Sequence, residues 1–243
     1  MTLINTHHGD WILMPEWTTD NAIVLSAKAL GENTYILSIF TSEHGRHLGV
    51  IKKKHPPEIG TLLHATWKAR LPEQLGSLYI EEHTAYAPLF LDDITRLNTL
   101  ICICALLDKT LPERQNYSDL HTYVLNLLSM LGKSDFLKKY ILFEVHLLTA
   151  LGFGLDTSCC AGGGDPNDLA YISPKTGRAV SREKGAPYHD KLLPLPKFIW
   201  QDCPASDQDL CDGLNLTAHF LTNCLPSGII PGVRAHLLKE ING

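Results

Sequence analysis

The residues best suited to chemistry stand together at positions 158–188, SCCAGGGDPNDLAYISPKTGRAVSREKGAPY. Cysteines and a glycine triplet raise two possibilities, a metal site or a phosphate-binding loop. A P-loop ends in Gly-Lys-Ser/Thr, and GGGDPND lacks that ending. The neighbouring GFGLDT lacks the third glycine of a dinucleotide fingerprint, and it follows a helical pattern instead of a strand. We therefore expect no nucleotide site here.

The same stretch resembles a zinc finger that has lost its ligands. A structural zinc site needs four Cys or His ligands in two close pairs. Cys159 could begin a Cys-x-x-Cys knuckle, but the partner position holds Gly162, and Ser181 and Lys184 occupy the second pair. Because a lysine ammonium repels a cation, we expect neither a metal nor another cofactor.

The other reactive residue types form no catalytic pattern. The twelve histidines are scattered, and the sequence contains no His-Glu-x-x-His helix and no Gly-x-Ser-x-Gly elbow. Cys102 and Cys104 fall in a helical pattern among apolar neighbours, which is typical of core residues. A nuclease or ligase would need a metal-binding carboxylate cluster or a nucleophilic lysine motif. We therefore expect a protein that is not an enzyme.

Positive charge is concentrated in two segments although the formal net charge is −5. Binding to polyanions depends on the local field and not on the total charge. The first segment, 44–70, has one acidic residue, Glu58, and contains Arg46, Lys52, Lys53, Lys54, Lys68 and Arg70. The second, 171–197, has two acidic residues and contains Lys175, Arg178, Arg182, Lys184, Lys191 and Lys197. These segments either bind nucleic acid or are solvated loops.

The sequence shows two hydrophobic periodicities, one of strands and one of helices, in different parts of the chain. Residues 20–87 contain five runs with period-two alternation separated by turns, which predicts a small barrel of the size of an oligonucleotide-binding (OB) fold. In the fourth run Leu63, Ala65, Trp67, Ala69 and Leu71 share one face, and we expect Trp67 to point inward. After Pro88 the period becomes helical, with an Asp92 or Asp93 cap and a glycine stop at Gly152.

The predicted fold class is therefore α+β, with an N-terminal five-stranded OB-type barrel followed by an α-helical domain that carries a degenerate zinc-finger-like insert. The predicted divisions are a loose extension at 1–14, the barrel at 15–88, the helical domain at 89–155 and 189–243, and a metal-free insert at 156–188. No apolar run reaches the ~18 residues that a membrane span needs, and the first residues do not resemble a secretory signal. Seven cysteines without a disulfide framework favour a reducing compartment, so we expect a cytoplasmic protein.

Several ordered stretches resemble the RecO family of bacterial recombination mediators, in its alphaproteobacterial form. The most specific are LGFGLDTSC (151–159) and LAYISPKTGRAVSREKGAPYHDKLLPLP (169–196). Further stretches are EWTTDNAIVLSAKALGENTYIL (16–37), SEHGRHLGVIKK (42–53), ATWKARLPEQLGSLYIE (65–81) and LPER (111–114). The resemblance runs from about Pro15 to the C-terminus and is weak over the final forty residues.

The resemblance implies a DNA repair protein with an OB barrel, a helical domain and a finger-like insert. Proteins of the family bind single- and double-stranded DNA, anneal complementary strands, and together with RecR load RecA onto strands coated by the single-stranded DNA-binding protein SSB. They also bind the acidic tail of SSB. Members with four cysteines in the insert hold zinc, whereas members similar to this chain do not. A nucleoid-associated location in the cytoplasm is implied as well.

One departure from the family concerns the first basic segment. Relatives carry a longer basic, glycine-rich loop where this chain has only KKKHPPEIG at 52–60, and Pro56-Pro57 stiffens what remains. The shortened loop and the net charge favour an alternative function, an adaptor between SSB and RecR that binds little DNA. For the mediator function, the candidate stacking side chains are Tyr35 and Tyr79. The candidate DNA-binding set is Tyr35, Arg46, Lys52, Lys53, Lys54, Lys68, Arg70, Lys175, Arg178 and Arg182.

Overall fold

We describe a computed structural model of the chain over residues 2–5, 11–225 and 232–241. The chain divides into two compact units, Met1–Thr122 and Tyr123–Gly243. The first unit contains the strands β1 (Thr2–Asn5), β2 (Trp11–Met14), β3 (Glu16–Gly31), β4 (Thr34–Thr41), β5 (Gly45–Lys52), β6 (Leu62–Lys68) and β7 (Ser77–Thr84), and the helix α1 (Ile94–Thr110). The predicted boundary near residue 88 stays a prediction, since the first unit includes α1 as well as the strands.

Strands β3 to β7 form a closed barrel in the order β3-β4-β5-β7-β6. The long strand β3 makes this possible, because its first half pairs with β6 and its second half pairs with β4. Irregular register between Thr19 and Ala22, together with a positive φ of 56° at Asn21, marks the point where the strand changes partners. Before the barrel, β1 and β2 pair with each other in antiparallel register, whereas a loose extension was predicted at 1–14.

The barrel core follows the predicted alternation. Leu63, Ala65 and Trp67 of β6 point inward, and Trp67 is only 2% exposed, as predicted. Leu71 was predicted on the same face but is exposed, because β6 ends at Lys68 and the chain turns away before Leu71 is reached. The Trp67 indole donates a hydrogen bond to the Leu75 carbonyl (3.0 Å), which ties the following loop to the end of the barrel.

The barrel closes through a very short parallel contact between β5 and β7. One residue pair, Val50 with Ser77, is in register there. It is accompanied by a hydrogen bond of 3.0 Å from the Val50 N–H to the Gly76 carbonyl. Beyond this point the two strands separate, so a cleft opens along the seam of the barrel.

Helix α1 packs on β3 and belongs to the first unit. It begins as predicted with an aspartate cap, because the Asp93 carboxylate accepts a hydrogen bond from the Arg96 N–H (3.0 Å). Cys102 and Cys104 are fully buried, which confirms that they are core residues. Near the end of the helix, the Asp108 carboxylate accepts hydrogen bonds from two hydroxyls of the barrel, which fixes α1 against β3 and β4.

Helix α2 (Ser118–Met130) spans the division between the units, and most other helices lie in the second unit: α3 (Phe136–Ala150), α4 (Arg182–Gly185), α5 (Asp207–Cys224) and α6 (Arg234–Ile241). Helix α3 is followed by Gly152 with a φ of +86°, so the predicted glycine stop is confirmed. Inside this unit the buried guanidinium of Arg234 makes two hydrogen bonds to the buried Glu144 carboxylate, at 2.7 and 2.8 Å. Among the described residues, no helix is long and apolar enough to cross a membrane.

The insert forms a small antiparallel sheet from β8 (Leu169–Ile172), β9 (Ala179–Ser181) and β10 (Leu193–Pro194), in the order β10-β8-β9. Leu169 and Ile172 of β8 are buried and anchor this sheet. The sheet recruits β10, so it extends past residue 188, where the sequence analysis ended the insert.

Candidate nucleic-acid interface

The outer face of the barrel beside the β5–β7 seam carries an aromatic side chain between lysines. Because side chains alternate along a strand, Lys68 of β6, Ser77 and Tyr79 of β7, and Val50 of β5 all face outward. Tyr79 is 62% exposed. The Lys68 ammonium lies 5.8 Å from the centroid of its ring, within the range of a cation–π contact.

The cleft at the seam has a volume of about 420 Å³. Its walls combine apolar side chains with two lysines, and they are formed by Val50, Ile51, Lys52, Lys53, Ser77, Leu78, Tyr79 and Ile80. An exposed aromatic ring beside lysines is the arrangement that proteins use to bind single-stranded nucleic acid, since bases stack on the ring while the ammonium groups neutralise phosphates. This cleft and the outward side chains beside it are called the seam face below.

The short loop that follows β5 is held at both ends. The Lys53 N–H donates to the Asn33 carbonyl (3.0 Å), and the Gly60 N–H donates to the Val24 carbonyl (2.8 Å). Between these anchors Pro57 is buried. The loop is therefore attached to the barrel on both sides of its exposed residues.

The lysines of the seam face differ in their partners. The Lys53 ammonium lies 2.5 Å from the Glu82 carboxylate, and the Lys68 ammonium lies 2.8 Å from the Glu16 carboxylate. In the part of the chain that the structure describes, three further cations of the first basic segment form no ion pair; these are Lys52, Lys54 and Arg70. The cations can be recognised in the sequence but their two acidic partners cannot, because Glu16 and Glu82 are distant from them along the chain.

Two of the candidate side chains hold the barrel together. Arg46 is only 15% exposed in its side chain; it donates to the Leu111 carbonyl (2.8 Å) and pairs with Asp108 and Glu113. The Tyr35 ring packs against the barrel core, and its hydroxyl is 3.5 Å from the Lys54 carbonyl oxygen. These contacts favour structural roles for both residues, and Tyr79 is the aromatic side chain that presents its ring to solvent.

The basic residues of the insert lie in the second unit. Arg178 is 3.5 Å from Asp156, and Arg182 is 3.4 Å from Asp168. Lys175 is exposed on the turn between β8 and β9. Two of these three charges are thus partly neutralised by neighbouring carboxylates.

The positions that the sequence aligned with zinc knuckles lie close together, with one difference. The buried sulfur is that of Cys160, whereas Cys159 is exposed. The Ser181 N–H donates to the Cys160 sulfur (3.1 Å), and Gly162 lies against the stem of Lys184. Among the described residues, no cluster of three His, Cys, Asp or Glu side chains could hold a metal ion.

The Cys160 thiol is surrounded by hydrogen-bonding groups. Burial alone would raise its pKa, but hydrogen bonds from Ser181 and from the backbone N–H groups of Gly164 and Gly162 outweigh burial and lower the pKa to about 7. These N–H groups stabilise the thiolate form of Cys160, and the same hydrogen bonds contribute to the structure of this turn.

Comparison with known proteins identifies the family of the chain. Residues 14–85 match the model of the recombination protein O N terminal, and residues 91–229 match that of the recombination protein O C terminal. The DNA repair protein RecO of Rhodospirillum rubrum is 42% identical over 222 residues, which cover 86% of this chain and 88% of the relative. The protein of the same name from Cereibacter sphaeroides is 38% identical over 233 residues, covering 93% and 98%. These names and descriptions state recombination and DNA repair. The chain belongs to the RecO family of DNA repair proteins.

Proposed function

We propose that the barrel is of the OB type and that the protein binds DNA through the seam face. The observation that carries this proposal is Tyr79, an exposed aromatic ring on a barrel strand, placed between Lys68 and the lysines that line the cleft. Each stacked base contributes about 1–3 kcal/mol in such sites, and each phosphate neutralised by a lysine releases counterions from the nucleic acid.

This arrangement supports annealing of complementary strands without any covalent step. Lysines that bind phosphates lower the repulsion between two strands, while stacking on a single ring leaves the hydrogen-bonding edges of most bases exposed. No bond is made or broken, so catalytic groups are not needed. Double-stranded DNA would be bound through its phosphates, and single strands would gain the additional contact with Tyr79.

The wider role that we propose follows the family. In this role the protein acts in the cytoplasm, at the nucleoid, and works with RecR to load RecA onto DNA coated by SSB, whose acidic tail it binds. The metal-free insert is a degenerate zinc finger whose basic residues, Lys175, Arg178 and Arg182, supply a second, weaker contact to phosphates. Support for these steps comes from family membership and from the two basic segments.

A second function, an adaptor that bridges SSB and RecR with little DNA binding of its own, has specific observations in its favour. Lys53 and Lys68 are paired with carboxylates, Arg46 is committed to ion pairs inside the first unit, and the net charge is −5. These features reduce the positive field that would attract DNA.

Binding of the purified protein to a fluorescent single-stranded oligonucleotide over a series of salt concentrations separates the two functions. The mediator function predicts tight binding at low salt that weakens steeply as salt rises, and faster annealing of complementary oligonucleotides. The adaptor function predicts weak binding with a shallow salt dependence and no acceleration of annealing, even though the protein still binds an SSB tail peptide.

A further inference from the structure

Lys53 and Glu82 bridge the open seam of the barrel. Lys53 follows the last residue of β5, Glu82 lies in β7, and their charged groups are 2.5 Å apart where the two strands have separated. Both side chains are partly exposed, at 37% and 40%, so the pair stands at the surface and can be opened by a competing ion. The cleft runs beside this pair, since Lys53 forms part of its wall.

A phosphate group that approaches Lys53 must compete with the Glu82 carboxylate. Both are anions that accept hydrogen bonds from the same ammonium group, and an exposed ion pair contributes only about 0.2–1 kcal/mol, so exchange between them is easy. Lys68, which lies near the Tyr79 ring, is likewise paired with a carboxylate, that of Glu16. Two lysines beside the stacking ring are therefore occupied by carboxylates of the same barrel.

We infer that Glu82 is an intramolecular competitor for the phosphate backbone, which limits how tightly the seam face holds DNA. This inference rests on the proposed DNA binding at that face. Limited affinity suits a protein that anneals strands, because the duplex product must leave. Glu82 then sets the strength and the reversibility of binding through its contact with Lys53, and not merely through its negative charge.

The chain offers a matched control at the next residue. Glu81 carries the same charge on the same strand and is also exposed, and it is in register with His64 of β6. Within the described residues it forms no ion pair with a lysine. A general electrostatic effect would act through both glutamates alike, whereas direct competition acts through Glu82.

The test uses four variants of the full chain, Glu82→Gln, Glu81→Gln, Lys53→Ala and the double variant Lys53→Ala/Glu82→Gln. Binding of a fluorescent oligothymidine is measured by anisotropy at fixed salt. We expect Glu82→Gln to bind about two- to fivefold more tightly than wild type, corresponding to the loss of one exposed ion pair, and Glu81→Gln to gain clearly less. In the Lys53→Ala background the gain in affinity from Glu82→Gln should fall to the gain given by Glu81→Gln, because Lys53 and Glu82 act as a coupled pair.

The inference is overturned if Glu82→Gln and Glu81→Gln bind equally, or if the gain from Glu82→Gln persists without Lys53. Thermal unfolding of each variant confirms that the barrel is intact, since substitution of exposed charges leaves stability nearly unchanged. If the wild-type protein itself bound no oligonucleotide, the proposed function would fail first. If the wild-type protein binds the oligonucleotide but Glu82→Gln and Glu81→Gln bind it with equal affinity, only the competitor role of Glu82 is rejected.

Discussion

The Lys68 ammonium lies 5.8 Å from the ring centroid of Tyr79, on the outer face of two neighbouring strands. This contact covers one side of an otherwise exposed ring. In the proposed function, a base stacks on the side of the Tyr79 ring that Lys68 leaves open, and the Lys68 ammonium binds a phosphate of the same strand. The pair thus combines the two interactions that single-stranded DNA requires, stacking and charge neutralisation.

Replacing Tyr79 by alanine should weaken binding to single-stranded DNA by about 1–3 kcal/mol, the usual contribution of one stacked base. Tyr79→Phe should retain most of the affinity, because the ring and not the hydroxyl does the stacking. Tyr188→Ala serves as a control, since Tyr188 is similarly exposed, at 60%, and does not border the cleft. Anisotropy titrations check this, and equal affinities for Tyr79→Ala and wild type would place the stacking site elsewhere.

Replacing Arg46 by alanine should destabilise the first unit. The guanidinium is mostly buried and binds Asp108, Glu113 and the Leu111 carbonyl. Loss of these charged hydrogen bonds should reduce the free energy of unfolding by about 1–3 kcal/mol, as measured by urea denaturation. Lys52→Ala removes the same charge from an exposed side chain and should leave stability unchanged. A stable Arg46→Ala variant with weaker DNA binding would instead make Arg46 a DNA contact.

His47 makes the barrel sensitive to acid. It is 4% exposed between Trp17 and Trp67, and neither ring nitrogen has a hydrogen-bond partner among the residues that the structure describes. Burial, followed by the charges of Arg114 and His44, lowers the His47 pKa to about 4. His47 of the unfolded chain therefore binds a proton more readily than His47 of the folded chain. Neutral His47 contributes fully to folding stability above about pH 6.5, and this contribution is lost as the pH falls towards 4.

The expected loss from His47 is about 3 kcal/mol of unfolding free energy between pH 6.5 and 4, from the linkage between pKa and stability. His47→Leu should flatten this part of the pH dependence and should not destabilise the protein at pH 7, because it removes two unsatisfied buried nitrogens. Urea unfolding at a series of pH values measures both effects. The same steep decline in the His47→Leu variant would assign the acid sensitivity to other groups.

The sequence predicted the five strands well because one face of each is buried, so apolar residues recur with period two, as at Leu63, Ala65 and Trp67. It could not place the start of β3, since Glu16 to Asp20 contains one large apolar side chain, Trp17, which is too few to show that alternation. It missed the Lys53–Glu82 and Lys68–Glu16 pairs for a different reason. Those pairs depend on the order of strands around the barrel, which local patterns do not determine.

The structure of the insert, too, could be predicted only in part from the sequence. The spacing of residues identified the knuckle positions, but it could not decide which of two adjacent cysteines faces inward. The structure assigns that place to Cys160, whose sulfur accepts the Ser181 N–H. The insert sheet also includes β10, in which Leu193 pairs with Ile172 of β8. This pairing depends on the path that the chain takes from β9 back to β8.

The purified protein should contain no stoichiometric zinc. Within the described part of the chain, the Cys160 thiol is surrounded by Gly162, Ser181 and Lys184, which do not offer the further ligands that zinc needs. Elemental analysis of protein purified without chelator is the measurement. About one zinc per chain that resists mild chelation would contradict this prediction and would require a different set of ligands.

The central claim, that the seam face binds the phosphate backbone, is tested most directly by the salt dependence of the triple variant Lys52→Ala/Lys53→Ala/Lys54→Ala. Each phosphate contact contributes about 0.7 to the slope of log affinity against log salt for single strands. We predict weaker binding to all sequences alike and a slope that is shallower by up to about two units, with unchanged thermal stability. Unchanged affinity and slope would contradict the claim and would direct attention to Lys175, Arg178 and Arg182 of the insert; if substitution of both segments changed nothing, the adaptor function would replace DNA binding.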